Sequence, residues 1–335
     1  MDLRELLNAR SILLVDDNYG GLKDTTFSKY LINQMLHSSL DAVAAFICDG
    51  QMRGLAFQRD FWTLVTDIVH LDSEFESCAE TLFQETPSKQ RRSYTVDAAD
   101  FNRSVMALLS DSLVSGDACE CGGGKRSRVL AYSPERQERI QLLFKTKIEL
   151  AYDLRDATIL ELGCGNGMAT AALDELGYNI YAFDNDKCAI CEGLVYGALQ
   201  KEKTVVLDAR YLSQYDFVRY YDFDCIVGFM LGAIYEFNKA EWRKILSEAV
   251  SVLNDGLFVF TVHKKEEADF IYDTMNDLGA EGELVDNQND TSIYDQWVYI
   301  GAKGNFAEPG LDSERLSQVA TVIYQQDGVT ILKVK

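Results

Sequence analysis

Positive charge is what this chain is short of. Lysine and arginine number 32 against 53 aspartate and glutamate, a formal net charge of −21 at pH 7, so the average surface field repels phosphate backbones and anionic membranes. Nucleic acid is thereby disfavoured as a partner, and a membrane surface is not expected. Long apolar runs are also missing: none approaches the ~20 residues needed to span a bilayer. Met1–Leu7 lacks the charged-then-apolar layout of a signal peptide. The expectation is a soluble, cytoplasmic protein. In that setting the eight cysteines read as reduced thiols, catalytic groups or ligands rather than a disulfide framework. What is present is ordinary for a globular core, 47% hydrophobic residues over 335, enough for one large domain or a main domain with a smaller partner.

Residues 1–132 read as a mainly helical domain that caps a catalytic domain or selects its substrate. Ser11–Asn18 looks like a short strand ending in acids, and Phe46–Asp49 offers a second. Together they resemble the opening of a receiver domain, but no further strand-helix repeat with the expected strand-end residues follows, and that reading is rejected. Helical spacing then takes over. Phe27, Leu31 and Met35 share a face, Phe61, Leu64, Val65, Ile68 and Val69 repeat at i, i+3, i+4, i+7 and i+8, and Phe75, Cys78, Ala79, Leu82 and Phe101, Val105, Leu108, Leu109 make two further stripes. Such a domain can also carry a homodimer. His37 and His70, inside helical patterns, read as surface or satisfied core groups.

Asp117–Arg128 packs three glycines and three basic residues together and suits a lid over a cleft. Its Cys119 and Cys121 are half of a thiolate metal site if Cys188 and Cys191 complete it. Zinc knuckles usually pair cysteines two to four residues apart on turns; here one pair is tighter and the other is helical, so no metal is expected.

From Ser133-Pro134-Glu135, a helix start, the chain alternates apolar strands with helices. Strands are expected at 159–162, 179–183, 204–207, 224–229 and 257–261, and a closing antiparallel pair near 282–285 and 296–302. The fold class is α/β, a doubly wound and mostly parallel sheet with an antiparallel edge hairpin, over residues 133–303. Residues 304–335 add a hairpin around Asp327-Gly328.

The first of these strands ends in Glu161, Leu162 and then Gly163, Gly165 and Gly167, a spacing that brings backbone close to a ligand. In an open α/β sheet the ligand lies beyond the carboxyl ends of the strands. Asp184 ends the second strand about twenty residues past the glycine loop, where a carboxylate can accept from ribose hydroxyls. Asp208 ends the third, where it or its neighbour can read an adenine amino group. The plain alternative for either is a helix cap, a role Asp186 could also fill.

Glu161-x-Gly163-x-Gly165-x-Gly167, Asp184, Leu207-Asp208-Ala209 and Asp224-x-Ile226-Val227, in this order and spacing, resemble the class I S-adenosylmethionine-dependent methyltransferases over about residues 135–303. The resemblance implies S-adenosyl-L-methionine as cofactor. It implies that Glu161, Gly163, Cys164, Gly165, Asn166 and Gly167 hold the methionine end, Asp184 and Asn185 the ribose, Asp208 and Ala209 the adenine, and that Phe229 onward lines the cleft beside the methyl group. A dehydrogenase fingerprint would place the third glycine one residue later.

Methyl transfer needs an acceptor held in line, water excluded and, for some acceptors, a proton removed. Tyr235, Glu236 and His263 are the candidate bases. The apolar loop Phe229–Glu236 lacks the Asn/Asp-Pro-Pro-Tyr/Phe signature of amino-methylating DNA enzymes in the family, which argues against a flipped base. A small molecule or protein side chain is the expected acceptor. A cofactor-binding scaffold without turnover, and an RNA methyltransferase, are the alternatives.

Overall fold

Asp49 and Gly50, both at positive φ (51° and 83°), turn the chain back on itself and make the amino-terminal part something other than a helical domain. The computed structural model describes residues 1–15, 26–66, 75–116, 118–119, 121, 133–288, 292–304, 320–326 and 329–334. It begins with α1 (Leu3–Leu7), β1 (Ile12–Val15), α2 (Thr26–Met35), β2 (Ala42–Cys48), β3 (Gln51–Gln58), β4 (Trp62–Thr66), α3 (Phe75–Glu85), β5 (Arg91–Thr95) and α4 (Ala98–Ser115). The strands form a five-stranded sheet in the order β1-β4-β3-β2-β5. β1 runs parallel to β4 and β2 to β5; the central pairings are antiparallel.

The expected helix through Phe61–Val69 is therefore corrected to a strand. Residues 62–66 are all buried, so the apolar run shows no face, and a faceless run fits a helical template as easily as a strand; Thr63, Val65 and Thr66, stiff at χ1, favour the strand. Ile68, Val69 and His70 lie outside the described residues. The remaining stripes are helices as expected. Ile32 of α2 and Phe75, Ala79 and Leu82 of α3 pack with Val43, Ala45, Leu55, Phe57 and Val65 on one side of the sheet. On the other, Phe46 stacks on Tyr94 (5.6 Å) and on Phe101 of α4 (5.3 Å). Gly54 is dictated by that contact, since a Cβ there would lie 2.6 Å from the Phe101 ring.

The alternating part follows as α5 (Pro134–Leu143), β6 (Thr158–Leu162), α6 (Met168–Asp174), β7 (Asn179–Asp184), α7 (Lys187–Tyr196), β8 (Thr204–Val206), α8 (Asp216–Tyr220), β9 (Cys225–Gly228), α9 (Lys239–Val252), β10 (Gly256–Val262), α10 (Lys265–Asp277), β11 (Glu281–Asp286) and β12 (Trp297–Lys303). Their sheet has the order β11-β12-β10-β9-β6-β7-β8. β9 is parallel to β6 and β10, β7 to β8, and β12 is antiparallel to both β10 and β11. This is the doubly wound, mostly parallel sheet with its antiparallel edge hairpin. β13 (Ala320–Gln326) and β14 (Val329–Val334) form a separate antiparallel pair; the Asp327-Gly328 turn lies outside the described residues. No helix among the described residues is long and apolar enough to cross a membrane.

By its contacts the chain divides into two compact units, Met1–Ser127 with Ala182–Asp222, and Arg128–Tyr181 with Phe223–Lys335. In the first, Asp111 on α4 is gripped by Arg4 of α1 at 2.6 Å and by Lys201 at 2.5 Å. Partial burial works against its charge, but hydrogen bonds and charge from Lys201 and Arg4 prevail and hold its carboxyl below the usual carboxylate range. A depressed carboxylate stabilises the fold above its unfolded pKa of about 3.9 and loses that stabilisation as pH falls through the folded value. Asp111→Asn should lower neutral-pH stability by about 0.2–1 kcal/mol, the range for partly exposed ion pairs. It should also flatten the acid limb of a denaturation series run from pH 7 to pH 3; an unchanged limb would refute the grip.

Candidate functional site

β6 delivers Glu161 and Leu162 to the carboxyl edge of the sheet, and the chain then turns through Gly163, Gly165 and Gly167 at φ of 66°, 54° and 81°. Three left-handed residues in five positions require glycine. A Cβ at Gly165 would meet nothing within 4 Å, so conformation rather than space sets the choice there. The Gly167 N–H donates to the Cys164 carbonyl at 2.9 Å and closes the turn. Glu161 is buried and accepts from the Thr170 hydroxyl of α6 at 2.6 Å. Cys164 is buried, Gly163 is exposed, and Gly165 and Asn166 are half-buried. β9 lies beside β6, with Ile159 opposite Cys225 and Glu161 opposite Val227. The strand order reverses between these two, which is where open α/β sheets seat ligands.

The loop after β9 is fixed by residues the sequence reading missed. Phe229 is buried against Phe144. Met230 sits at φ 53°, uncommon for a residue with a side chain. Its N–H donates to Thr261 Oγ1 of β10 at 2.8 Å, and its sulfur accepts from the Asp295 N–H at 3.1 Å. Thr261 in turn donates to Asp295 Oδ1 at 2.5 Å, and Arg136 of α5 bonds both Asp295 oxygens, at 2.7 and 3.2 Å. Only 11% of the Arg136 side chain and 3% of that of Asp295 are exposed. Further along, Glu267 of α10 accepts from Ile234 N (3.2 Å) and Lys264 N (2.9 Å), and Asn238 bridges Tyr235 N and the Ala233 carbonyl. Asp295 carried no signal in the sequence, being one acid in a polar connection.

The three candidate bases sit on this edge in different settings. Glu236 is exposed and paired with Lys239. Tyr235 is half-exposed and stacked on Phe237, centroids 5.4 Å apart. His263 is exposed, with Nδ1 2.8 Å from the Ile293 carbonyl. A ring nitrogen facing a carbonyl carries the proton, so a neutral His263 keeps Nε2 as its acceptor. Phe237, Ile293, Tyr294 and Tyr235 leave apolar surface exposed.

In the unit formed by 1–127 and 182–222, β7 ends in Asp184, whose Oδ1 accepts from Asp186 N at 2.8 Å. Asp186 caps α7, accepting from Cys188 N and Ala189 N at 2.9 and 3.2 Å. The cap role thus falls to Asp186, and Asn185 between them is exposed. Asp208 caps the turn that runs from Ala209 to Gln214 and pairs with the Arg210 guanidinium, closest at 2.6 Å. Its own N–H donates to the Tyr215 hydroxyl at 3.1 Å. The ordinary cap reading is realised at Asp208.

The fold brings three of the four cysteines together, although Cys188 is far along the chain from the other two. The ligand atoms of Cys119, Cys121 and Cys188 lie within 4.8 Å of one another, with Cys119 and Cys188 sulfurs 3.6 Å apart. Cys188 stands in the first turn of α7, next to the sulfurs of Cys119 and Cys121. Burial, with hydrogen bonds from Cys121 and Cys188 adding to it, pushes Cys119 up to about 12. Burial and Cys121 push Cys191 up to about 11. Most of the 117–128 stretch read as a lid lies outside the described residues.

No family model matches the chain, and no curated protein matches it. Among solved structures it is similar to the N-methyltransferase NodS of Bradyrhizobium japonicum in complex with S-adenosylhomocysteine, at 17% identity over 61% of this chain and 98% of that one, TM-score 0.38. It is also similar to a TehB-like S-adenosylmethionine-dependent methyltransferase of Corynebacterium glutamicum, at 18% identity over 51% and 99%, TM-score 0.33. A third is an rRNA methylase of Streptococcus thermophilus, at 16% identity over 50% and 94%, TM-score 0.34.

Removing one member of a buried ion pair strands the other, a loss of about 3–5 kcal/mol. Arg136→Met and Asp295→Asn should each destabilise by roughly that much in urea titrations, while the double variant should lose less than the sum. Additive losses would show that the two do not act as a pair.

Proposed function

We propose that the chain is an S-adenosyl-L-methionine-dependent methyltransferase of a small molecule or a protein side chain. The observation that carries this reading is the buried Glu161 followed by three left-handed glycines, at the point where the strand order reverses. The donor set suits the cofactor. Glu161 offers a carboxylate to an ammonium group, the glycine loop lets backbone lie against the methionine end, Asp184 faces ribose hydroxyls with Asn185 beside it, and Asp208 and Ala209 border the adenine. Because Arg210 occupies the Asp208 carboxylate, that contact is the weakest of the set.

Bound there, the cofactor supplies a methyl group already activated on a sulfonium. What remains for the chain is to orient an acceptor, keep water out and accept a proton. Thr261, Asp295 and Glu267 fix the loop after Phe229 that would border the acceptor. Among Tyr235, Glu236 and His263, His263 is the best placed base, because its contact with Ile293 leaves Nε2 to take a proton. Exposed Tyr235, Phe237, Ile293 and Tyr294 suit an acceptor with apolar surface, and the acidic composition favours it over nucleic acid. In the same reading the protein works in the cytoplasm and the amino-terminal α/β domain chooses the acceptor, as a homodimer.

S-adenosylhomocysteine should raise the melting temperature and NAD should not; the reverse would overturn the reading. Asp184→Ala and Glu161→Gln should each weaken nucleoside binding by about tenfold or more, ~1.4 kcal/mol, in calorimetry. Tritiated-methyl labelling of a lysate, fractionated into protein, small molecules and nucleic acid, tests the acceptor. Label in RNA would replace the proposed acceptor class, and binding without any label would mark a scaffold. His263→Asn should lower the labelling rate with cofactor affinity unchanged.

A further inference from the structure

The ligand atoms of Cys119, Cys121 and Cys188 lie within 4.8 Å of one another, Cys191 stands just outside that group, and the cofactor reading uses none of the four. Cys119 and Cys121 follow α4, and Cys188 and Cys191 lie one turn apart at the start of α7. Cys119 is in contact with both Cys121 and Cys188, and Cys191 with Cys121 and Cys119. The Cys191 sulfur also reaches the Leu113 carbonyl of α4 at 3.4 Å. Cys119 and Cys191 are buried, Cys121 and Cys188 partly so.

We propose that Cys119, Cys121, Cys188 and Cys191 form a tetrahedral zinc site that fastens the chain after α4 to the first turn of α7. A zinc–sulfur bond of about 2.3 Å in a tetrahedron sets sulfurs about 3.8 Å apart, and the Cys119–Cys188 separation is 3.6 Å. A disulfide would need about 2.05 Å. Three sulfurs within 4.8 Å of one another suit a single ion, with Cys191 one helical turn from Cys188 as the fourth ligand to close on it. All-thiolate tetrahedral coordination suits zinc among the divalent metals. With four protein ligands and no open position the site is structural, not catalytic. Loading is a proton exchange without electron transfer: one Zn²⁺ replaces the four thiol protons, which leave to solvent, and the thiolates become its ligands.

The site joins elements distant in sequence, Cys119 and Cys188 being 69 residues apart. Both ends are polar handles on packed helices: α4 carries Phe101, Val105 and Leu109 into the core, and α7 buries Ile190 and Leu194. A metal there fixes the carboxyl end of one against the amino end of the other.

Metal analysis of the full chain, purified with reductant from zinc-supplemented cells, should find about one zinc per chain. Cys188→Ser and Cys121→Ser should each reduce it below about a tenth of an equivalent. Cys78→Ser, a partly exposed cysteine on α3, should keep it. Because ligand variants can misfold, the wild-type chain supplies an independent readout. Titration of its thiols with a mercurial should release the zinc as the cluster's thiols react, and cobalt exchanged into the site should show thiolate-to-cobalt charge-transfer absorption. Metal-free wild-type protein would overturn the proposal, as would iron in place of zinc, equal zinc loss in Cys78→Ser, or an intact mass lowered by four hydrogens, the mark of two disulfides.

Discussion

The buried pair of Arg136 and Asp295 is the constraint on which the candidate site's geometry rests. Taking two charges out of water is costly, and Coulomb attraction offsets that only when the remaining donors and acceptors are satisfied. Here both Asp295 oxygens meet the guanidinium, one also meets Thr261, and Arg136 lies 4.8 Å from the centre of the Tyr294 ring. The arrangement joins a helix, a central strand and two loops, so none of them can shift without leaving a charge unanswered. The left-handed Met230 persists because Thr261 and Asp295 hold it from both ends. Strain of that kind survives only where its surroundings over-determine it.

How much of this could be read in the sequence depended on whether the information was local. The strand through Glu161, the glycine turn, Asp184 at the end of β7 and the closing hairpin are set by residues within a few positions of one another, and they stand where periodicity put them. β4 gives no strand signal, because a strand buried on both faces has no alternation to show. β3 was missed although Asp49-Gly50, a pair suited to a tight reversal, preceded it. Asp295 was unreadable in principle, because its partner Arg136 is 159 residues away. Along the chain the four cysteines divide into two pairs, and linear spacing says little about sulfurs that the fold brings together.

α7 links two of these findings. Its capping residue Asp186 donates its own N–H to Asp184, and the next turn carries Cys188. The carboxylate at the end of β7 and the thiol at the start of the helix are therefore held by one short run of backbone. Whatever fixes that run fixes the Asp184 carboxylate and the Cys188 thiol together.

The outermost strands of the large sheet carry a further consequence. β8 is only three residues long, and β11 exposes Glu281, Glu283 and Asp286 among half-buried neighbours. An open strand is a template for joining another chain, and short length or repeated like charge are the usual deterrents. Three of the acids that outnumber the basic residues thus stand on the outer strand, where like charge discourages the sheet from growing from one molecule into the next.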